Sequence, residues 1–509
     1  MQSSMDTSSS GGPQGISNNQ DLSKRQGLIA VNDLTYVLEP DLSVASNKTH
    51  KKHFFQNNTY SPGQQGICIL NSGADYIDTR RSFFQFEVAN PSNAQNLYFG
   101  KNGSALNLIK NITISTRSGD ELCRVQDVNL LSNMLIPLTY NSDWFKNHGQ
   151  LFGYGGAILN TQNPAYNGKN QRFVIPMYLL CPLFSYGRLL PAMLMSGLRV
   201  EIQWEEAATA FINAGNGINN VPATPTVEVA TSYTIKNPYF SLASVQLSDS
   251  IQRALNELSA TNGLEIVYTD YEKTPLQNGT DLLGNQHLEI RKSCSRALKA
   301  FARVRVLADS SNVATAPQTE HHRDSFKSED VFNIAEYQWQ LGSLYFPQQP
   351  VKGTDETDST GCAYEAYAYT LEACDKFHGG AHPPKLCFRD DNPNSPSDVS
   401  LESLGNAPGT TPGMAGYHAS SKQGIPGTFM NGGHVISVTL ERSTMFNLAG
   451  VPVNNSRVLA LRCKLNNTQS ELNKNGANFA TTDIKKSIDV YLKYVKLARV
   501  FLNNVEVEQ

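Results

Sequence analysis

Several things are missing from this sequence, and each absence removes a class of function. It has no Gly-x-x-x-x-Gly-Lys-Ser/Thr loop to cradle a phosphate and no Gly-x-Ser-x-Gly turn to present a nucleophile. No two of its eight cysteines form a Cys-x-x-Cys pair. Charged residues make up 17%, against ~25% in an ordinary globular chain. The formal net charge of -3 excludes a chain-wide electrostatic footprint for nucleic acid. No run approaches the ~18 apolar residues of a membrane span. The densest, residues 174–195, is interrupted by Pro176, Pro182, Arg188 and Pro191. Residues 1–30 hold no apolar segment of the kind a secretory leader needs.

Polarity comes instead from Asn, Ser, Thr, Gln and Gly, a loop-rich β composition. The chain has 509 residues, and 40% are hydrophobic. That is enough apolar surface for more than one core, so two domains are expected. Cys68, Cys123, Cys181, Cys294, Cys362, Cys374, Cys387 and Cys463 mostly sit in apolar runs. They read as buried free thiols of a reducing compartment rather than as a disulfide framework. The sequons at Asn278 and Asn466 are expected by chance in a chain so rich in Asn and Thr.

The residues 434–465, HVISVTLERSTMFNLAGVPVNNSRVLALRCKL, set the pattern. Ile436, Val438 and Leu440 alternate with Ser437, Thr439 and Glu441, and Leu459, Leu461, Cys463 and Leu465 with Ala460, Arg462 and Lys464. This is the period of a half-buried strand. Gly450, Pro452, Asn454 and Asn455 supply turn chemistry between them. A third such run covers residues 488–501.

Earlier parts follow the same plan. Residues 1–26 are polar and rich in Gly and Ser, and predict a flexible arm that is dispensable for folding. Strands are predicted at 66–70, 81–88, 106–116 and within 173–204, where Leu198, Val200, Ile202 and Trp204 share one face. Helical spacing runs from Val125 to Leu135, ending before Pro137. A Gly/Asn/Pro-rich loop covers 207–226. A connector helix over 248–260 carries the stripe Ile251, Ala254, Leu255, Leu258, with Ser248 or Asp249 as its cap and Gly263 after it. The second half repeats the order: strands at 264–271 and 297–306, a polar loop at 308–330, a strand then an extended loop over 337–351, and a short helix at 363–374. Residues 388–433 read as one long surface loop, open to proteases before assembly, ahead of the closing strands. The expected division is an arm at 1–30, a first sandwich with its connector helix at 31–260, and a second at 261–509.

Candidate sites have bland readings that fit better. Cys374, His378, His382 and Cys387 suit zinc by type, but Gly379, Gly380, Pro383 and Pro384 keep the two histidines off one helix face. His321 and His322 lie in a polar loop, and the glycines of 153–156 and 379–380 read as turns. Glu201, Glu205 and Glu206 cluster at a strand end, as solvated charge rather than a catalytic carboxylate pair. Arg80, Arg81, Lys485 and Lys486 read as solvated strand ends. No catalytic, cofactor-binding or metal-binding residues are assigned, and no enzyme activity, small-molecule substrate or sequence-specific nucleic-acid binding is expected.

Four stretches, taken together and in order, resemble the double-jelly-roll major capsid proteins of polinton-like viruses, virophages and related double-stranded DNA viruses. They are YIDTRRSFFQFEV (76–88), PLFSYGRLLPAMLMSGLRVEIQW (182–204), WQLGSLYFPQQPV (339–351) and RSTMFNLAGVPVNNSRVL (442–459), the last followed by the terminal strand VYLKYVKLARVFLNNVEV. The resemblance implies an all-β fold of two consecutive eight-stranded antiparallel jelly rolls with short helices and long loops. It also implies homotrimeric, pseudo-hexagonal capsomers that tile an icosahedral shell in the virion. The chain would be made inside a host cell. Its partners would be its own copies, neighbouring capsomers, and penton and minor capsid proteins. On the same reading the arm faces the interior, 388–433 lies on the outer end of the capsomer, and Tyr345, Phe346 and Pro347 form a loop contact between copies. The rival from composition is a β-sandwich carbohydrate-binding protein or glycoside hydrolase, which calls for an exposed aromatic platform and a paired-carboxylate cleft.

Overall fold

A computed structural model of the protein describes residues 45–91, 96–99, 103–140, 144, 147–154, 158–159, 170–214, 227–229, 232–274, 284–290, 292–306, 334–352, 364–375, 435–441, 450–465, 486–501 and 504–508. The chain divides into two units, Met1–Ser46 and Asn47–Gln509. Both sandwiches belong to the second unit, apart from the first two residues of the leading strand. The arm, His321, His322, His378, His382, Cys387, Lys485 and the loop 388–433 lie outside the described residues.

Eight strands build the first sandwich: β1 (Ala45–Phe54), β2 (Gln65–Asn71), β3 (Tyr76–Ala89), β4 (Ile109–Ser115), β5 (Glu121–Val125), β6 (Gln171–Pro176), β7 (Ser196–Trp204) and β8 (Thr234–Leu247). Eight more build the second: β9 (Leu264–Thr274), β10 (Gly284–Ile290), β11 (Cys294–Val306), β12 (Ile334–Leu341), β13 (Leu344–Lys352), β14 (Ile436–Thr439), β15 (Leu459–Leu465) and β16 (Lys486–Val500). One sheet of the first sandwich runs β1-β8-β3 and is completed by β6 on the free side of β3; the other runs β2-β7-β4-β5. The sheets of the second run β9-β16-β11-β14 and β10-β15-β12-β13. Adding eight to each label of the first sandwich gives the second. The pairings are antiparallel, and this strand order is that of the jelly roll.

The repetition extends to details. The long third strand of each sandwich is flanked by two short pieces rather than one strand: β6 and Leu189–Leu190 beside β3, and β14 and Val451–Val453 beside β11. Each sandwich also inserts a helix between its fifth and sixth strands, α1 (Val128–Thr139) in the first and α3 (Tyr364–Ala373) in the second. Between the sandwiches lies α2 (Asp249–Thr261).

Alternation explains the cores. Leu198, Val200, Ile202 and Trp204 on β7 are all fully buried, as their spacing predicts. They meet Phe84, Phe86 and Val88 of β3 and Phe240 of β8; Phe84 stacks on Phe240 at 4.8 Å, and Trp204 meets Phe86 edge-on at 5.5 Å. Each such side chain contributes about 1.5–3 kcal/mol by leaving water. Leu459, Leu461, Cys463 and Leu465 are buried in the same way on β15, with Trp339 and Tyr337 beside them on the neighbouring strand β12.

Several expectations are corrected. Val125 belongs to β5, and α1 begins at Val128 and continues past Pro137 to Thr139. The proline falls in the last turn, so it costs one ladder bond, and the Tyr140 N–H still reaches the Ile136 carbonyl at 3.1 Å. Ser248 holds the N-cap position of α2 without a side-chain cap bond, and Leu258 of its stripe is exposed. Residues 344–352 are not a loop: they form β13, paired with β12 through a turn at Gly342, whose φ of +59° favours glycine. Residues 207–214 hold a helical turn and a short strand, Ile212–Ala214. That strand joins Asn96–Tyr98, Ile158–Leu159 and Val227–Val229 in a small sheet, which gathers three separate connections of the first sandwich at one place.

The seam between the sandwiches and the open strand edge

The strand β5 ends its sheet, so its outward backbone groups need partners. The second sandwich supplies them with side chains. Tyr268 of β9 donates its hydroxyl to the Leu122 carbonyl at 2.5 Å, and the Lys496 ammonium of β16 donates to the same oxygen at 3.0 Å. Lys496 also pairs with Asp270 at 2.9 Å, and the two side chains are 2% and 1% exposed. Cys123 on β5 donates to the other Asp270 oxygen at 3.3 Å. Beyond the strand end, Lys273 pairs with Asp127 and, at 3.5 Å, with the buried Asp489. Tyr491 donates to the Asp127 carbonyl at 3.1 Å. Ser259 of α2 donates to the Val500 carbonyl at 3.0 Å and lies 3.1 Å from Met193 Sδ, touching both sandwiches.

Burial pushes the Asp270 carboxyl up, and the Lys496 ammonium beside it draws it back only in part. Burial pulls Lys496 down, but the Asp270 carboxylate outweighs it, and the ammonium titrates above its ordinary value. Both directions mean that the pair holds its protons more tightly than the unfolded chain does. A buried pair of this kind is weak as a net stabiliser, and breaking one half leaves the other charge stranded. Its chemistry is that of a rigid joint.

The second sandwich carries another buried charge. Lys299 of β11 is 4% exposed and pairs with Asp375 at 2.5 Å and Glu441 at 3.8 Å. Lys493 lies close by, and burial lowers its pKa despite Asp375 and Glu441. Thr370 of α3 donates to the Ala366 carbonyl at 2.9 Å, and the Ser437 hydroxyl of β14 reaches Thr370 at 2.8 Å, so α3 closes over β14.

The strand equivalent to β5 is β13, and its surroundings differ. Among the described residues β13 pairs on one side only, with β12. Leu344 is 58% and Tyr345 37% exposed, and Arg462 lies 5.4 Å over the Tyr345 ring. Gln348, Gln349 and Pro350 are exposed as well, whereas Phe346 is half-buried against the core. Pro347 and Pro350 remove N–H donors from this edge. The strand equivalent to β9 is β1, and it is exposed too. Residues 47–50 face solvent, and Phe54 at its end is 62% exposed.

The three glutamates near β7 do not form a pair. Glu201 pairs with Arg199 and accepts from Gln65, each at 2.5 Å. Glu205 is buried, not solvated as its turn position predicts: it accepts from Asn129 of α1 at 2.7 Å, with Lys110 at 3.9 Å, and its carbonyl accepts from Tyr233. Glu206 is exposed beside Gly63. Arg80 and Arg81 are exposed, but at a register shift in the middle of β3 rather than at a strand end, with Arg81 3.6 Å from Asp78. Cys374 follows α3 and is half-buried, and Gly153 closes a short 3-10 turn with φ +70°. No group of three potential metal ligands occurs among the described residues.

Two antiparallel eight-stranded sandwiches in one chain, with matching strand orders and a side-chain-sealed joint, define a double jelly roll. Known structures with this fold include viral capsid proteins. VP54 of PBCV-1, as fitted into a reconstruction of the virophage Sputnik, matches with a TM-score of 0.52 at 11% identity, over 93% of this chain and 100% of that one. A chain of the Sputnik virophage matches with 0.51 at 9% identity, over 99% and 93%. The Faustovirus major capsid protein matches with 0.50 at 9% identity, over 95% and 97%. No protein-family model matches the sequence, and no curated protein is similar to it by sequence. The likeness therefore lies in the fold, and it spans nearly the whole chain.

Proposed function

We propose that this chain is the major capsid protein of an icosahedral double-stranded DNA virus and forms homotrimeric, pseudo-hexagonal capsomers. Its domains are an arm at 1–30, a first jelly roll with its connector helix at 31–260, and a second at 261–509. One observation supports the assembly reading: β5 is sealed by β9 and β16 of the same chain, while its counterpart β13 pairs, among the described residues, with β12 alone. A closed ring needs a surface that fits a different surface on the next copy. With β13 of one copy against β1 of the next, each joint between copies takes the form of the joint within a chain. Three copies of two sandwiches then give six similar positions around the ring. Leu344, Tyr345 and Phe54 are the apolar side chains available for that contact. Neighbouring capsomers, penton proteins and minor capsid proteins are the further partners, and the place of work is the virion, after synthesis inside a host cell.

Light scattering across a concentration series tests this reading. The expected result is a trimer whose melting temperature rises with concentration where dissociation and unfolding are coupled. A monomer at high concentration would overturn it. Leu344→Ala with Tyr345→Ala leaves the core intact and is expected to weaken the trimer by about 2 kcal/mol or more, as central interface side chains do. Phe346 is a poorer choice, because it packs on the core and its loss would also destabilise the subunit.

A further inference from the structure

Beneath the seam lie two thiols, one of which, Cys123, also takes part in the joint. Cys123 is on β5 and Cys181 precedes the 3-10 turn Pro182–Ser185; they are 0% and 2% exposed. They are 58 positions apart in sequence, yet Cys181 donates to the Cys123 sulfur at 2.7 Å. That is closer than two sulfurs rest when they merely touch, and a disulfide bond of about 2.05 Å is reached by a sub-ångström movement. Cys181 has an extended backbone, φ -154° and ψ 142°, at the head of the 3-10 turn. The other neighbour of Cys123 is the Asp270 carboxylate at 3.3 Å, which can take its proton.

We propose that Cys123 and Cys181 are a covalent modification site, oxidised to an internal disulfide by a small uncharged peroxide. The Cys123 proton passes to Asp270, and the thiolate attacks one peroxide oxygen. The O–O bond breaks, leaving a sulfenic acid and a hydroxide that takes up a proton as water. Cys181 sulfur then attacks the sulfenic sulfur, the S–S bond forms, and the S–OH group departs as a second water with the Cys181 proton. Two thiols lose two electrons in all, and one peroxide gains them.

Burial, the Cys181 thiol and the Asp270 charge hold the Cys123 thiol well above its ordinary pKa, so little thiolate exists at neutral pH and the reaction is slow. The pair thus stays reduced where the chain is made and closes after long exposure to an oxidising medium. Size and charge select the oxidant, because the site is covered by Tyr268, Asp270 and Lys496. The bond would fix β5, which carries the seam, to the segment leading toward β7.

The test uses the full-length folded protein, purified reduced and treated with hydrogen peroxide. After catalase, remaining thiols are alkylated in denaturant and peptides are mapped without reductant. The expected product is a peptide joining Cys123 to Cys181, absent from Cys123→Ser and from Cys181→Ser. It should form several-fold faster at pH 9 than at pH 7, and a chain oxidised while unfolded should give scattered pairings. Recovery of both cysteines alkylated from the treated wild type would overturn the proposal. So would joining of either to a different cysteine, or an equal yield of the pair from unfolded chain. The wild-type map decides even if a serine variant fails to fold.

Discussion

The two sandwiches share a strand order and differ in what fills the space around it. The first is packed with aromatic rings: Phe55, Phe84, Phe86, Phe99, Phe173, Trp204, Phe211 and Phe240 contact one another in a continuous cluster. The second sets charged side chains into buried positions of its β9-β16-β11-β14 sheet, namely Asp270, Lys299, Arg303, Asp489 and Lys496. The reason is position. The sheet of β9 and β16 has the first sandwich against it, and α3 with the Asp375 turn closes over β11 and β14. Strand order therefore follows from alternation and turns, which both halves share, while core chemistry follows from what each sheet is packed against.

The largest effects should come from breaking each kind of core. Trp204→Ala in the first and Lys496→Ala in the second should each cost about 3–5 kcal/mol in urea unfolding, one by opening a cavity and the other by stranding Asp270. Repair separates them. Replacing Lys496 by Met together with Asp270 by Leu should restore stability to near the wild type, because a matched apolar pair needs no desolvation of charge. An unrepaired loss would show that the hydrogen bonds to Leu122 dominate the joint.

The pH dependence sharpens the same contrast. Lys496 has a folded pKa above its unfolded value, so its contribution is complete below about pH 10.4 and is lost as pH rises through the folded value. Thermal melts from pH 9 to 11.5 should show a falling limb that the Met and Leu double variant flattens. Trp204 variants should keep it.

Smaller effects belong to the first sandwich's polar contacts. Glu205→Ala leaves Asn129 without its acceptor and should cost about 1–3 kcal/mol, read as a lower urea midpoint. Glu87→Gln disturbs a pair with Arg172 that joins β3 to β6, and a hydrogen bond from Asn170 at 3.2 Å. The hydrogen bond from Arg172 holds the Glu87 carboxyl below its ordinary value, so this stability is present above the unfolded pKa and lost as pH falls through the folded one. With Arg172 exposed, the expected loss is the smallest of these, read as a slight drop in the urea midpoint that shrinks further in high salt.

What could be read from the sequence, and what could not, divides along similar lines. Strands with one wet face declare themselves, as β7 and β15 do. The leading strand β1, ASNKTHKKHF, escapes because its described residues are mostly exposed and carry almost no apolar alternation. The central strand β8 escapes for the opposite reason: residues 240–245 are buried without a break, and a bulge at Asn237, φ +48°, shifts the register. The half-exposed β10, GNQHLEI, offers little period at all. In β13 two prolines read as loop, although an edge strand tolerates them. The joint was the least legible feature, because Asp270 and Lys496 are 226 positions apart and nothing local to either names its partner.

That joint also has a consequence in time. Synthesis delivers the first sandwich well before β16, which begins at Lys486. At the ~5–20 residues per second of translation, the outer side of β5 waits tens of seconds for its cover. During that wait its carbonyl groups and Cys123 lack the cover of the second sandwich, and an edge strand is open to pairing with another nascent chain. Closing the seam is then a docking event late in the life of the nascent protein, and the arrival of β16 decides when the first domain becomes safe.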